Sequence, residues 1–227
     1  MTSPNAWHAL ESDPDLWRIY IEQLGVDVSS LDFIEIYSLD EDYLAGENIY
    51  AYIFLYPESD ALPVSNVSQS LTNDKLWTIK QIDELDSCCC LIALLHAIGN
   101  NLDKVILKAN SPLADFFKNT ENMTADERAI VLLNDQNIHE AHEETAEQGQ
   151  TEMIDSGRVG YHYIAYIVSN GNQLYEMNGS TKGPHAKFIG ELNDESFFSR
   201  VTQEVKEKVS ALDGDIRFNL IAMARKQ

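Results

Sequence analysis

Cysteine is scarce in this chain and confined to one place: Cys88, Cys89 and Cys90 are the only three among 227 residues. Disulfides in secreted domains join separated segments, so this single run excludes a cross-linked framework and implies a reducing, cytoplasmic setting. Long apolar runs are missing as well. No stretch approaches the roughly 20 residues that a membrane-spanning helix needs. The opening MTSPNAWHALESDPDLW places acids where a secretory leader requires an uninterrupted apolar run. Basic residues are few, 16 Lys and Arg against 37 Asp and Glu. The resulting formal charge of -21 repels phosphate backbones and anionic lipid, so neither nucleic acid nor a membrane is an expected partner. A charged partner should instead be basic. No Gly-rich loop has the Walker or dinucleotide-binding form. His139 and His142 fall one residue short of the H-E-x-x-H spacing, so no metal site is expected and both read as exposed helix residues. His185 has no ligand-type neighbour in sequence.

What remains is enough for a core. A hydrophobic fraction of 44% with 9% aromatics excludes a disordered acidic tail and suits one domain over residues 1–227. Leu16, Ile19, Tyr20 and Leu24 recur at helical spacing before Gly25, which predicts a first helix. Phe33, Ile34, Ile36 and Tyr37 predict a short strand, and residues 50–56 a longer one closed by Pro57. Residues 58–75 have the composition of a surface connection. Residues 89–98 are apolar apart from His96 and end at Gly99-Asn100-Asn101, which predicts a buried helix. Thr124 and Glu127 form a capping box ahead of another. Residues 143–158 are polar and aperiodic, a loop longer than most connections in compact domains. Residues 161–168 and 173–177 flank Asn170-Gly171, a hairpin signal. A helix over 197–212 and a strand over 216–223 complete an α+β pattern.

Three features could carry chemistry. A thiol in the first turn of a helix meets unpaired backbone N–H groups and the positive end of the dipole, both of which favour the nucleophilic thiolate; Cys89 is so placed. Clustered cysteines also serve as small buried hydrophobes, and the local sequence leaves both readings open. His162 and Asn178 lie on the two strands of the same hairpin, where a base and the group orienting its ring could meet. A His among Tyr and Ile also suits a core, and an Asn before Gly also suits a turn.

Residues 89-CCLIALLHAIGNN-101 resemble the signature of the ubiquitin C-terminal hydrolases, in which the nucleophilic Cys stands seven positions before a His followed by Ala-Ile and paired Asn. His96 thereby selects Cys89. The resemblance continues through Trp7, Leu10-Glu11-Ser12-Asp13-Pro14, Gln23-Leu24-Gly25, His142-Glu143, Gly149-Gln150-Thr151-Glu152, Tyr161-His162-Tyr163-Ile164-Ala165, Leu174-Tyr175-Glu176 and Arg217-Phe218-Asn219. It implies a papain-like α+β fold, a central antiparallel sheet flanked by helices, with a crossover loop over residues 143–159 that limits the size of the leaving group. It implies a thiol hydrolase that cleaves after the C-terminal glycine of ubiquitin through a Cys thioester. Cys89 would be nucleophile, His162 general base and acid, Asn178 the orienter and Gln81 the oxyanion donor, with no cofactor. The partner would be ubiquitin or a ubiquitin-like modifier, held as a monomeric enzyme's substrate through its basic C-terminal tail, for which the acidic charge is suited.

The chain departs from that pattern in three places. Gln81 stands two residues farther from the nucleophile than the family places its Gln, and Asp83 occupies the family's offset if no insertion is allowed. The family's Asp is Asn178 here, which keeps a carbonyl acceptor and loses the negative charge. Asn178 precedes Gly179, a pair prone to deamidation. The small Gly after the nucleophile is replaced by Cys90, and Cys88 precedes it; a shift of the turn would make Cys88 the nucleophile instead. These departures define a second reading, a ubiquitin-binding pseudoenzyme with little or no hydrolysis.

Overall fold

The computed structural model describes residues 7–40, 44–59, 76–149, 160–180, 184–212 and 216–226. Helix α1 (Pro14–Gln23) starts where Asp13 accepts from the amides of Asp15 and Leu16 with Pro14 in the first turn. It ends at Gly25, whose φ of +100° is left-handed and whose added Cβ would strike Ser111 at 2.0 Å, so both backbone and space demand glycine. Strands β1 (Leu31–Glu35) and β2 (Ile49–Pro57) follow. A 3₁₀ helix (Asp83–Cys88) then leads into α2 (Cys89–Gly99). Helices α3 (Pro112–Thr120), α4 (Ala125–Leu133) and α5 (Gln136–Ala146) precede strands β3 (Tyr161–Ser169), β4 (Gln173–Met177) and β5 (Ala186–Glu191). Helix α6 (Phe197–Ala211) and strand β6 (Asn219–Arg225) close the chain.

The six strands form one antiparallel sheet in the order β1-β6-β2-β3-β4-β5. Strand alternation separates two cores. Ala51, Ile53, Tyr163, Ala165 and Ile167 face the layer that carries α1 to α5. Tyr52, Phe54, Tyr56, Ile164 and Tyr166 face the other way, against Phe198, Val201 and Val205 of α6. Helix α2 is buried on all sides, each of its large aliphatics (Leu91, Ile92, Leu94, Leu95, Ile98) contributing roughly 1.5–3 kcal/mol of transfer energy. No helix among the described residues is long and apolar enough to cross a membrane.

The expected α+β architecture is present, with differences at the edges of elements. The first strand lies at Leu31–Glu35, earlier than the expected 33–37; Ile36 only continues it through an amide bond to the Leu220 carbonyl, and Tyr37 is exposed. The last strand lies later than expected, at Asn219–Arg225, because pairing with β1 and β2 sets its register. The hairpin turn holds Asn170 and Gly171 at positive φ, as expected, yet spans three residues between the paired Ser169 and Gln173. The polar run from residue 143 is helical through Ala146, so the long loop starts later; residues 150–159, most of the expected crossover loop, lie outside the described residues. So do residues 60–75 of the surface connection. His142 is buried rather than exposed: its Nε2 donates to the His8 carbonyl at 2.7 Å and its Nδ1 accepts from the Tyr20 hydroxyl at 3.2 Å. His139 is half-buried against Trp7. Strand β5 and helix α3 carry no period strong enough to have been expected.

Polar side chains fix the segment that precedes the 3₁₀ helix. Asn100 accepts from the Trp77 amide at 2.9 Å and donates to the Trp77 carbonyl at 2.8 Å, while His96 Nε2 accepts from the Ile79 amide at 3.1 Å. Asn101 reaches the Tyr50 carbonyl of β2 at 3.2 Å. The signature residues around α2 are therefore clamps that align residues 77–81 along the helix. Arg128 does the same from α4. It donates to the carbonyls of Thr120 (3.0 Å), Glu121 (3.0 Å) and Thr78 (2.8 Å) and lies 4.8 Å over the Trp77 ring. Two of those carbonyls end α3, where the dipole favours a cation. Replacing Arg128 with Ala leaves three acceptors without this donor and is expected to cost about 2–4 kcal/mol of stability, read as a lower urea midpoint; Arg128→Lys should recover less than half.

Candidate active site

Cys89 is the first residue of α2, and its side chain is 5% exposed. The 3₁₀ helix lies between Gln81 and Cys89, with a break in helical geometry at Leu85 (φ -110°, ψ 23°). Cys89 is held against β3, where the Tyr163 amide donates toward its sulfur together with the Cys90 amide. His162 is the residue before Tyr163, so the thiol sits beside the strand segment that carries the imidazole.

The imidazole is oriented by Asn178. His162 Nε2 and Asn178 Oδ1 are 2.9 Å apart, and the Ser180 amide donates to the same Oδ1 at 2.9 Å. The Ser180 N–H identifies that atom as the oxygen of the side-chain amide, since an amide nitrogen would be a donor facing a donor. His162 must then carry its proton on Nε2, which leaves the Nδ1 lone pair as the base. One face of the ring packs edge-on to Tyr56, at 5.9 Å between centroids. The Asn178 amide donates to the His185 carbonyl at 3.0 Å, and His185 Nδ1 lies 3.3 Å from the Asn178 carbonyl. His185 thus braces the orienter, a role its isolated place in the sequence did not suggest.

Gln81 reaches the same corner. Its amide donates to the Gly179 carbonyl at 2.7 Å, and its side-chain Nε2 donates to the Asp86 carbonyl at 2.6 Å. Gly179 is confined: an added Cβ would meet Ile92 Cγ2 at 2.5 Å and Gln81 Cβ at 3.3 Å. Cys88 and Cys90 are buried with no exposed thiol, and all three cysteines are free. Among the described residues no three His, Cys, Asp or Glu side chains are grouped to hold a metal ion.

Burial opposes the thiolate that a helix start favours. Burial pushes the Cys89 thiol up to about 11, against the opposing pull of the Tyr163 and Cys90 amides; the charge of Glu58 raises it further. The helix N-terminus is thus outweighed by loss of solvent. Burial likewise lowers His162, offset in part by its bond to Asn178 and by the charges of Glu58, Glu176 and Asp86. Burial thus disfavours the charged form of each group in the free protein. Iodoacetamide should therefore modify Cys89 of the free protein at least about a hundredfold more slowly at pH 7 than an ordinary thiol. Its rate should climb toward the region of pH 11, resolved by peptide mass spectrometry. A plateau near neutrality would instead mean a preformed thiolate–imidazolium pair.

Comparison with known proteins bears on this geometry. The family model described as ubiquitin carboxyl-terminal hydrolase, family 1, matches residues 7–210. Ubiquitin carboxyl-terminal hydrolase 3 of Arabidopsis thaliana is 31% identical over an alignment covering 99% of this chain and 97% of that protein. The human ubiquitin carboxyl-terminal hydrolase isozyme L1 is 24% identical, covering 95% and 97%. Among solved structures, Trichinella spiralis UCH37 bound to ubiquitin vinyl methyl ester superposes with a TM-score of 0.75 at 22% identity, over 98% of this chain and 83% of that one. The catalytic domain of the same protein, in the same type of complex, gives 0.74 at 22% identity, over 97% and 96%.

Proposed function

This chain belongs to ubiquitin carboxyl-terminal hydrolase family 1, and from that premise we propose how its own residues carry the family's reaction. The protein is a cysteine-type ubiquitin C-terminal hydrolase, a thiol protease of the deubiquitinating class. Cys89 is the nucleophile, His162 the base and acid, Asn178 the orienter and Gln81 the oxyanion donor. The observation that supports this assignment is the pair of N–H groups converging on Asn178 Oδ1, which leaves His162 Nδ1 as the basic nitrogen.

In the reaction, His162 Nδ1 takes the Cys89 proton as sulfur attacks the carbonyl of ubiquitin's terminal glycine. The oxyanion is met by backbone N–H at the start of α2 and by Gln81, whose side-chain nitrogen carries a second N–H besides the one given to the Asp86 carbonyl. His162 then gives its proton to the leaving amine, and a water activated by the same nitrogen hydrolyses the thioester. Loss of a single oxyanion donor typically costs roughly a hundred to a thousandfold in rate. Gln81→Ala should fall in that range while leaving ubiquitin binding intact.

The substrate is ubiquitin or a close modifier, gripped through its basic tail, to which the net charge of -21 is complementary. We read residues 1–227 as one such domain acting as a cytoplasmic monomer. The test is reaction with ubiquitin bearing a thiol-reactive C-terminal group, comparing wild type with Cys88→Ala, Cys89→Ala and Cys90→Ala, followed by hydrolysis of a fluorogenic ubiquitin amide. Adduct and turnover are expected in all but Cys89→Ala. Adduct persisting in Cys89→Ala and lost in Cys88→Ala would move the nucleophile by one residue; a folded protein that binds ubiquitin without adduct or turnover would be a pseudoenzyme.

A further inference from the structure

The neutral Asn178 raises a physical question: what stabilises the imidazolium that forms on His162 when the thiol proton arrives? A neutral amide orients the ring but adds no charge. The groups around His162 can be named element by element. Strand β4 contributes Glu176, and Asn178 follows the end of that strand; α6 answers Glu176 with Lys208, 3.0 Å from its carboxylate and 5.9 Å over the Tyr56 ring. The 3₁₀ helix contributes Asp86, and α2 the buried His96. Strand β2 contributes Tyr56, directly opposite His162, and then Glu58.

Glu58 is the member of this set with both the position and the charge. Tyr56 pairs with His162 and Pro57 with Tyr161, and the Glu58 amide donates to the Gly160 carbonyl at 2.9 Å, so the β2–β3 register runs on past the last paired residues. Strand alternation puts Glu58 on the Tyr56 face, diagonal to His162, a relation that places Cβ atoms roughly 7–8 Å apart or less. Glu176 lies farther along, opposite Tyr166, and is countered by Lys208. Glu58 is exposed at the rim, so water screens it in the free protein, and the interaction strengthens when a substrate covers the cleft and displaces that water.

We propose that Glu58 is a positioning residue that stabilises the His162 imidazolium across the β2–β3 pair and supplies the negative charge that Asn178 does not. This rests on the hydrolase reading, and it makes Glu58 and residue 178 energetically coupled. The same direction appears in the free protein, where the Glu58 charge opposes the lowering of His162 by burial. Removing the carboxylate makes imidazolium costlier, lowers the His162 midpoint and moves the acid limb of kcat/KM to lower pH; kcat falls provided this loss outweighs the easier ionisation of Cys89, whose thiol the same charge raises.

The test is a double-mutant cycle of Glu58→Gln with Asn178→Asp, with Glu58→Asp as the conservative variant. In the natural background Glu58→Gln should lower kcat about tenfold, the order expected of a partly screened carboxylate at this range, with KM changed less than about twofold. Glu58→Asp should restore most of the loss. With Asp at position 178 the same Glu58→Gln change should cost under about twofold. NMR titration of the His162 ring, which needs no ubiquitin, should show a lower midpoint in Glu58→Gln. An unmoved midpoint, equal losses in both backgrounds, or a loss confined to KM would each overturn the proposal, the last by assigning Glu58 to substrate grip. Absence of wild-type turnover would count against the hydrolase reading, and the titration would still decide the role of Glu58.

Discussion

The burial of α2 is the constraint on which the rest of the molecule depends. Its ten residues from Cys89 to Ile98 are all buried, so the helix is held in the layer between the sheet and α1 to α5. A helix with no wet face has nowhere to place polar groups except against other backbone. His96, Asn100 and Asn101 accordingly bind the backbone of Ile79, Trp77 and Tyr50, and these bonds orient both the Gln81 segment and β2. The same enclosure raises the Cys89 thiol. Stability and thiol ionisation are therefore opposed at the first turn of this helix: water exclusion that packs the core also disfavours the Cys89 thiolate.

The site answers that opposition by geometry. Two N–H groups on one oxygen fix which side of the imidazole is basic, without any net charge in the pair. Burial disfavours charge on both His162 and Cys89, in keeping with the cost of desolvating a buried ion pair. An enzyme arranged in this way is chemically quiet when empty.

Much of this was legible in the sequence, for identifiable reasons. The α2 helix declared itself because continuous apolarity with a Gly-Asn-Asn end admits few alternatives, and the 161–177 hairpin because Asn170-Gly171 tolerates positive φ. The pairing of His162 with Asn178 followed from that hairpin. Strand edges were misplaced because register is set across the sheet by partners far away in sequence, as with β1 and β6. His142 was taken for a surface residue because its partners, Tyr20 and the His8 carbonyl, come from the opposite end of the chain. Glu58 and His185 were passed over for the same reason: each gains its meaning from a neighbouring strand. The state of the thiol was left open because a helix start is visible in a sequence, whereas the depth at which that start is buried is not.

Gly179 ties these levels together. It touches Ile92 from inside α2 and Gln81 from the clamped segment, while its neighbour Asn178 holds the imidazole. The clearance there is smaller than a methyl group, so a rearrangement of the helix interior by even a fraction of an ångström is passed directly to the base. Catalytic alignment in this protein is in that sense a readout of core packing. Heating that loosens α2 would disorganise the reaction centre while the sheet is still intact, so inactivation would precede the loss of secondary structure.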